Sequence, residues 1–343
     1  MKLGLLLSSR DGSPTSIDDH DPLYDPSPWL PEHAWERFYI SKATAFAEVR
    51  DLAHRGCDVF VNLCDGAPDE DRAGLEVVEA LERLGLPFTG ATASFYEATR
   101  ADMKAACRAA GLDTPEHVFA RDEASIALAA ETLRFPLIVK HEDSYCSIGM
   151  TRDARVTTKD ALVREARRVI AEFGGALIEE FVEGREFTVL VSENPLDPRR
   201  PHTYVPVECR FPPGETFKHF DLKWVAYEGI GWFPVTDEVL ALRLRDAAAR
   251  MFVGMSGTGY GRCDLRMDAD GALHMLEINP NCGIFYPQGA FGSADIILAH
   301  DPIGHRGFLS HLFEVALTRR RAPRTSDHGP SFAVAAAATS PTG

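Results

Sequence analysis

Two carboxylates and an amide stand close together in GRCDLRMDADGALHMLEINPNCG, residues 261–283: Asp264 first, then Glu277 and Asn279. Alternate residues of an extended chain share a face, so Glu277, Asn279 and Asn281 project to one side. A turn at Asp270-Gly271 then folds the strand carrying Asp264 back against theirs. Hard divalent cations such as magnesium take this oxygen set, with phosphates completing the shell. Solvated strand acids would give the same pattern.

Two further stretches carry phosphate- and nucleotide-type chemistry. In PLIVKHEDSYCSIGM, residues 136–150, an apolar run delivers Lys140 to a strand end, and a polar loop with Ser147 and Gly149 follows. A lysine acts on phosphate as a point charge, and successive backbone N–H groups of such a loop close over it. In ALIEEFVEGREF, residues 176–187, Glu179 and Glu180 end an apolar strand and Glu186 lies in the next. A backbone segment plus a carboxylate suits an adenine edge and ribose hydroxyls. The plain alternatives are a surface lysine with its stem laid on apolar groups and exposed acids.

The elements that position these groups fall into three units. Residues 1–91 alternate strand and helix: KLGLLLS, an amphipathic ERFYISKATAFAEVRDLAHRG, CDVFVNL, GLEVVEALERLG and PFTG. Such alternation predicts a parallel sheet flanked by helices, an α/β substrate domain. A 26-residue loop rich in Pro, Asp and Ser, residues 9–34, leaves the end of the first strand, where open α/β sheets place ligands. Residues 92–182 read as a small α+β unit carrying the phosphate loop, and 183–320 as long strands, a helix at EVLALRLRDAAARMFVG, the hairpin and a terminal helix. Residues 321–343 are Pro-, Ser- and Ala-rich and read as a disordered tail. GTGYG, residues 257–261, precedes a strand rather than opening a helix and is not a dinucleotide loop.

The 343-residue length and 45% hydrophobic content support several domains with real cores, and the net charge of -15 disfavours nucleic acid and anionic membranes as partners. Arg319, Arg320 and Arg321 form the longest basic run. No apolar stretch is long enough to span a bilayer, and the N-terminal residues read as a first strand, so the expected location is cytoplasmic. Seven dispersed cysteines without a C-x-x-C pair argue for reduced core thiols rather than disulfides or zinc. Cys146, beside the phosphate loop, reads as a packing residue ahead of a reactive thiol. His300 and His305 lack a third ligand at metal spacing.

Taken in order, Lys140, the loop, Glu179-Glu180, Glu186, Lys223, Arg262-x-Asp264 and Glu277-x-Asn279 resemble the ATP-grasp superfamily in its D-alanine:D-alanine ligase-like branch. The likeness is densest in LERLGLPFTGATASFYEATRADMKAACRAAGLDTP, FPLIVKHEDSYCSIGM, EEFVEGREFTV, FDLKW and the 261–283 hairpin. It implies an α/β and α+β chain with an ATP-grasp fold and an N-terminal parallel-sheet, Rossmann-like domain. It implies ATP and Mg2+ (or Mn2+) as cofactors, with Arg100 and Lys140 on the nucleotide and Ser147, Ile148 and Gly149 in the phosphate lid. Glu179, Glu180, Phe181 and Val182 would form the adenine hinge, Glu186 would hold the ribose and Lys223 the terminal phosphate. Asp264, Glu277 and Asn279 would be the metal ligands, and Arg262 with the Gly283 N–H would stabilise an oxyanion. The implied reaction is an ADP-forming carboxylate–amine ligation through an acylphosphate by a homodimer.

The substrate half departs from that family. SSRDGSPTSIDDHD lacks the glutamate that holds the first substrate's amine, Cys146 replaces the loop serine, and Trp224 replaces a tyrosine. The acceptor turn reads CGIFYPQGAFGSAD, with its serine displaced to Ser293. Trp224, Phe285 and Tyr286 suggest a pocket for a larger or more apolar substrate than alanine. The readings left open are a rebuilt amino-acid ligase, a D-alanine:D-alanine ligase proper, and a mycosporine-type ligase that activates an enolisable carbonyl. A nicotinamide oxidoreductase lacks its glycine turn after the first strand, and a non-catalytic ATP binder would lack the metal ligands or Arg262.

Overall fold

The computed structural model describes residues 1–9, 23–68, 70–143, 147–224 and 229–321. Cys146, much of the long loop (10–22) and the tail from 322 lie outside the described residues.

The first unit holds β1 (Lys2–Ser8), β2 (Ala34–Ile40), α1 (Ala45–Leu52), β3 (Val59–Asn62) and α2 (Leu75–Leu84). Its strands run parallel in the order β2-β1-β3. Leu3, Leu5, Leu6, Val59, Phe60 and Val61 are buried, as expected of strands covered on both faces. The sequence stretch 36–56 was expected to be one helix, but its first five residues belong to β2 and helix begins only later. Trp35, Phe38, Tyr39 and Ile40 fit a pleated surface, and seven in-register pairs with β1 outweigh the helical spacing. PFTG forms no strand beyond a single parallel bridge, Phe60 to Phe88.

The second unit holds α3 (Ala93–Tyr96), α4 (Arg100–Ala109), β4 (His117–Ala120), α5 (Glu123–Thr132), β5 (Leu137–His141), β6 (Arg155–Val156), α6 (Lys159–Phe173) and β7 (Ala176–Glu180). Its antiparallel sheet has the order β4-β7-β5-β6, and α5 and α6 pack on one face. Side chains of Thr99, Asp122 and Thr158 cap α4, α5 and α6 by accepting first-turn N–H groups.

The third unit holds β8 (Arg185–Ser192), β9 (His202–Thr203), β10 (Val207–Arg210), α7 (Phe220–Trp224), β11 (Gly231–Pro234), α8 (Glu238–Gly254), β12 (Tyr260–Met267), β13 (Leu273–Pro280), α9 (Ser293–His300) and α10 (Gly304–Arg321). Its main sheet runs β11-β10-β8-β12-β13. Phe187, Val189, Val191, Cys263, Leu265 and Ile278 pack from this sheet onto α4 and α8. Leu3, Leu5, Val59 and Val61 share a second core with Tyr260, Phe308 and Leu312, so the first unit is packed onto the third. A cavity of about 1040 Å³ opens where the three units meet.

Candidate active site

The hairpin of β12 and β13 sets the oxygen-rich wall of this cavity. Arg262 pairs with Asn279 and Asp264 with Glu277 in strand register, with a bulge just after Asp264. Cross-strand neighbours on one face approach closely, so the acids and the amide meet there. The Asn279 Nδ2 lies 3.2 Å from Asp264 Oδ2 and 3.5 Å from Glu277 Oε1. Arg262 holds Asp264 with two bonds, Nε to Oδ1 at 3.1 Å and Nη2 to Oδ2 at 2.8 Å. Arg100, from the first turn of α4, donates Nη2 to Glu277 Oε2 at 2.9 Å and Nη1 to the His141 carbonyl at 2.9 Å.

These pairings set the protonation states. Burial alone would raise the Asp264 and Glu277 carboxyls, but Arg262 and Lys218 beside Asp264, and Arg100 beside Glu277, hold both below the usual range. The donor chemistry fits a hard divalent cation, because one amide lies within 3.5 Å of both of two ionised carboxylates.

Beside this wall β5 presents Lys140, whose Nζ lies 2.6 Å from Glu179 Oε2 on the neighbouring β7. The second oxygen of Glu179 is paired with Lys104, which also donates to Thr114 Oγ1 at 2.9 Å and to the Leu276 carbonyl at 3.2 Å. Burial pushes the Glu179 carboxyl up, yet Lys104 and Lys140 together outweigh it and keep it strongly acidic. Burial in turn holds the Lys104 ammonium below the ordinary lysine range, with Glu179 opposing. Lys104 looks like a surface residue of an alanine-rich helix. Its spacing with Arg100, Met103 and Cys107 is the signal that places it on the inward face.

The stretch 180–182, expected as part of a hinge, is split. Phe181 donates its backbone N–H to the Pro136 carbonyl, and both Phe181 and Val182 line the cavity. Glu180 turns its carboxylate away to Arg134, Nη2 to Oε2 at 2.7 Å. Glu186 is buried and paired with Lys218, Nζ to Oε1 at 2.8 Å. Lys218 carries no motif in the sequence; it sits in a loop, half-buried, with its Nζ 5.1 Å from the Trp232 ring centroid. Ser147, at φ +61, donates Oγ to the Lys218 carbonyl at 2.9 Å, and Phe220 N–H bonds the Met150 carbonyl at 2.9 Å. The 147–150 loop and the 217–224 segment are thereby joined across the cavity, and Lys223 and Trp224 line it.

Beyond Asn279 the chain turns. A Cβ on Gly283 would fall 2.6 Å from the Tyr286 hydroxyl, so crowding by Tyr286 is itself a reason for glycine. Tyr286 and Ser293 line the cavity, whereas Phe285, expected on its wall, is 1% exposed and faces the core against Phe308. The reason is local: Phe285 has φ +66, and the buried Asp295 fixes it by accepting its N–H at 2.8 Å while His305 Nε2 lies 3.0 Å from the same oxygen. His305 thus belongs to a packing network, and among the described residues no group of three His, Cys, Asp or Glu side chains is arranged to hold a metal. Asn281 sits at φ +47, and its Oδ1 accepts the Ala91 N–H at 2.8 Å, tying the end of the first unit to the end of β13. Cys64, Cys107, Cys209, Cys263 and Cys282 are buried free thiols; burial pushes Cys282 up to about 12.

The architecture has relatives of known structure. D-alanyl-alanine synthetase A from Vibrio cholerae aligns with a TM-score of 0.67 at 18% identity, covering 92% of this chain and 98% of that one. The ATP-complexed D-alanine–D-alanine ligase from Bacillus anthracis gives 0.63 at 17% identity, covering 94% and 99%. The fold is therefore ATP-grasp. Residues 107–286 match the model of the D-ala D-ala ligase C-terminus, and the chain belongs to that family. The D-alanine–D-alanine ligase of Pseudomonas fluorescens is 30% identical over 222 residues, 64% of this chain and 63% of that protein. The sequence alignment thus spans under two thirds of such relatives' length.

Proposed function

We propose that the protein is an ATP- and magnesium-dependent ligase that joins a carboxylate to an amino-acid amine, releasing ADP and phosphate. The observation that carries this is the β12–β13 register: it brings Arg262, Asp264, Glu277 and Asn279 together on the cavity that Lys140, Lys223 and Gly283 also line. Lys140 and Lys223 orient the terminal phosphate for in-line attack by the substrate carboxylate. Asp264, Glu277 and Asn279 would hold magnesium, which when bound offsets phosphate charge. A carboxylate oxygen displaces ADP to give an acylphosphate. The amine then attacks the acyl carbon, phosphate leaves, and the amine's proton is lost. Arg262 and the Gly283 N–H stabilise the oxyanion formed in that second step. No nucleophilic side chain is required.

The nucleotide half follows the family pattern, and the acceptor half is rebuilt around Trp224 and Tyr286, favouring an amine other than D-alanine. On the same reading the enzyme is a cytoplasmic homodimer acting on small molecules, with neither nucleic acid nor membrane as a partner. Among the described residues no helix is long and apolar enough to cross a membrane. Thermal shift with ATP, with and without magnesium, followed by product analysis across an amino-acid panel tests the proposal. AMP as product would overturn the acylphosphate route, and D-alanine serving as well as any other amine would overturn the rebuilt acceptor site.

A further inference from the structure

Behind the oxyanion turn lies a polar chain that the reaction above does not use. The Tyr286 hydroxyl, packed over Gly283, is 3.4 Å from the Tyr24 hydroxyl, and Tyr24 donates to Asp65 Oδ2 at 2.8 Å. Arg72 Nη2 donates to Asp65 Oδ1 at 2.9 Å. Asp65 and Tyr286 line the cavity, with Tyr24 and Arg72 buried behind them. The loop carrying Asp65 is fixed: Lys42 Nζ donates to the carbonyls of Ala67, Pro68 and Glu70 at 2.8, 2.9 and 2.7 Å, and Gly66 pairs with Gly74.

We propose that Asp65 is a substrate-recognition residue that binds the ammonium of an amino acid whose carboxylate lies at Arg262 and Gly283. The proposal rests on the ligase reading for where that carboxylate sits. A carboxylate offers about four acceptor positions, and Tyr24 and Arg72 use two of them. Asp65 retains 27% of its side-chain surface exposed. Arg72 fixes its plane, so it meets an incoming donor without reorganisation. A carboxylate drawn toward Arg262, Lys140 and Lys223 and an ammonium drawn toward Asp65 define a zwitterion lying along the wall from Gly283 past Tyr286. An enolisable carbonyl compound without an amine leaves Asp65 unused. The activated substrate is therefore an amino acid.

The test uses the full chain loaded with magnesium and a non-hydrolysable ATP analogue, titrated calorimetrically with matched pairs: D- and L-alanine against D- and L-lactate, β-alanine against 3-hydroxypropionate, and phenylalanine against 3-phenyllactate. The amine of at least one pair is expected to bind about tenfold tighter than its hydroxyl partner, the size of a lost charged hydrogen bond. Asp65→Asn, which keeps an acceptor for Tyr24, is expected to bring that pair within about threefold while nucleotide affinity is unchanged. No amine preference in the unaltered protein, or a preference that survives Asp65→Asn, overturns the proposal, and the first of these needs no variant to fold. An Asp65-dependent preference without ATP turnover for any pair would instead overturn the ligase reading and leave the ammonium site standing.

Discussion

The guanidinium of Arg100 lies 2.9 Å from the carboxylate of Glu277, and it reaches there from a different unit of the chain. A candidate metal ligand is thus neutralised by a cation of the protein's own, and a bound metal would share that carboxylate or displace Arg100. Replacing Glu277 by Gln keeps an acceptor for Arg100 but removes the charge. Glu277→Gln and, separately, Asn279→Ala are expected to lower kcat by about a thousandfold or more with an unchanged circular dichroism spectrum. Substantial turnover in both would remove the metal assignment.

Lys104 and Lys140 share one buried carboxylate. Removing one partner of a buried ion pair leaves charge uncompensated, so Lys104→Met should destabilise the protein by about 3 kcal/mol. Glu179 would keep Lys140 as its cation partner. Urea denaturation reads the loss, and a melting curve indistinguishable from that of the unaltered protein would show that the pair contributes nothing net.

The same carboxylate fixes a pH response. The Glu179 carboxyl is depressed in the folded protein from the ordinary 4.5. Its stabilising contribution is therefore complete above about pH 5 and is lost as pH falls below that value toward the folded pKa. Asp264 and Glu277 act in the same direction. Stability measured from pH 7 down to pH 3 should fall on the acid side. The fall should be shallower in Glu179→Gln, and equal acid slopes in the two proteins would refute this origin.

Gly283 and Tyr286 test crowding at the turn that follows β13. Gly283→Ala puts a methyl against the Tyr286 hydroxyl and should suppress turnover at least about a hundredfold if the turn must hold its place. Adding Tyr286→Phe removes the closest atom and should recover part of the loss. A double variant as inactive as Gly283→Ala would place the need for glycine elsewhere.

Asn281 predicts a purely structural effect. Asn281→Ala leaves the buried Ala91 N–H without its acceptor and should cost about 1–3 kcal/mol of stability while the KM for ATP stays unchanged. A raised KM with unaltered stability would assign Asn281 to the site after all.

The amino-acid sequence determined what is local. The period-2 run ending in Glu277 and Asn279, the Asp270-Gly271 turn, the apolar delivery of Lys140 and the Glu179-Glu180 strand end were all legible, because side-chain direction in a strand follows from backbone geometry alone. Tertiary structure decided what depends on partners far along the chain. Residues 34–40 became a strand through pairing with β1, and Phe285 turned inward because Asp295 captured its backbone. Lys104 became buried because Glu179 was there to compensate it, and Lys218 turned inward to Glu186. Asp65 faced the cavity only once Tyr24 and Arg72 stood behind it. The energy of burying a charge or straining a turn is set by what surrounds it, and those surroundings exist only after the chain has folded.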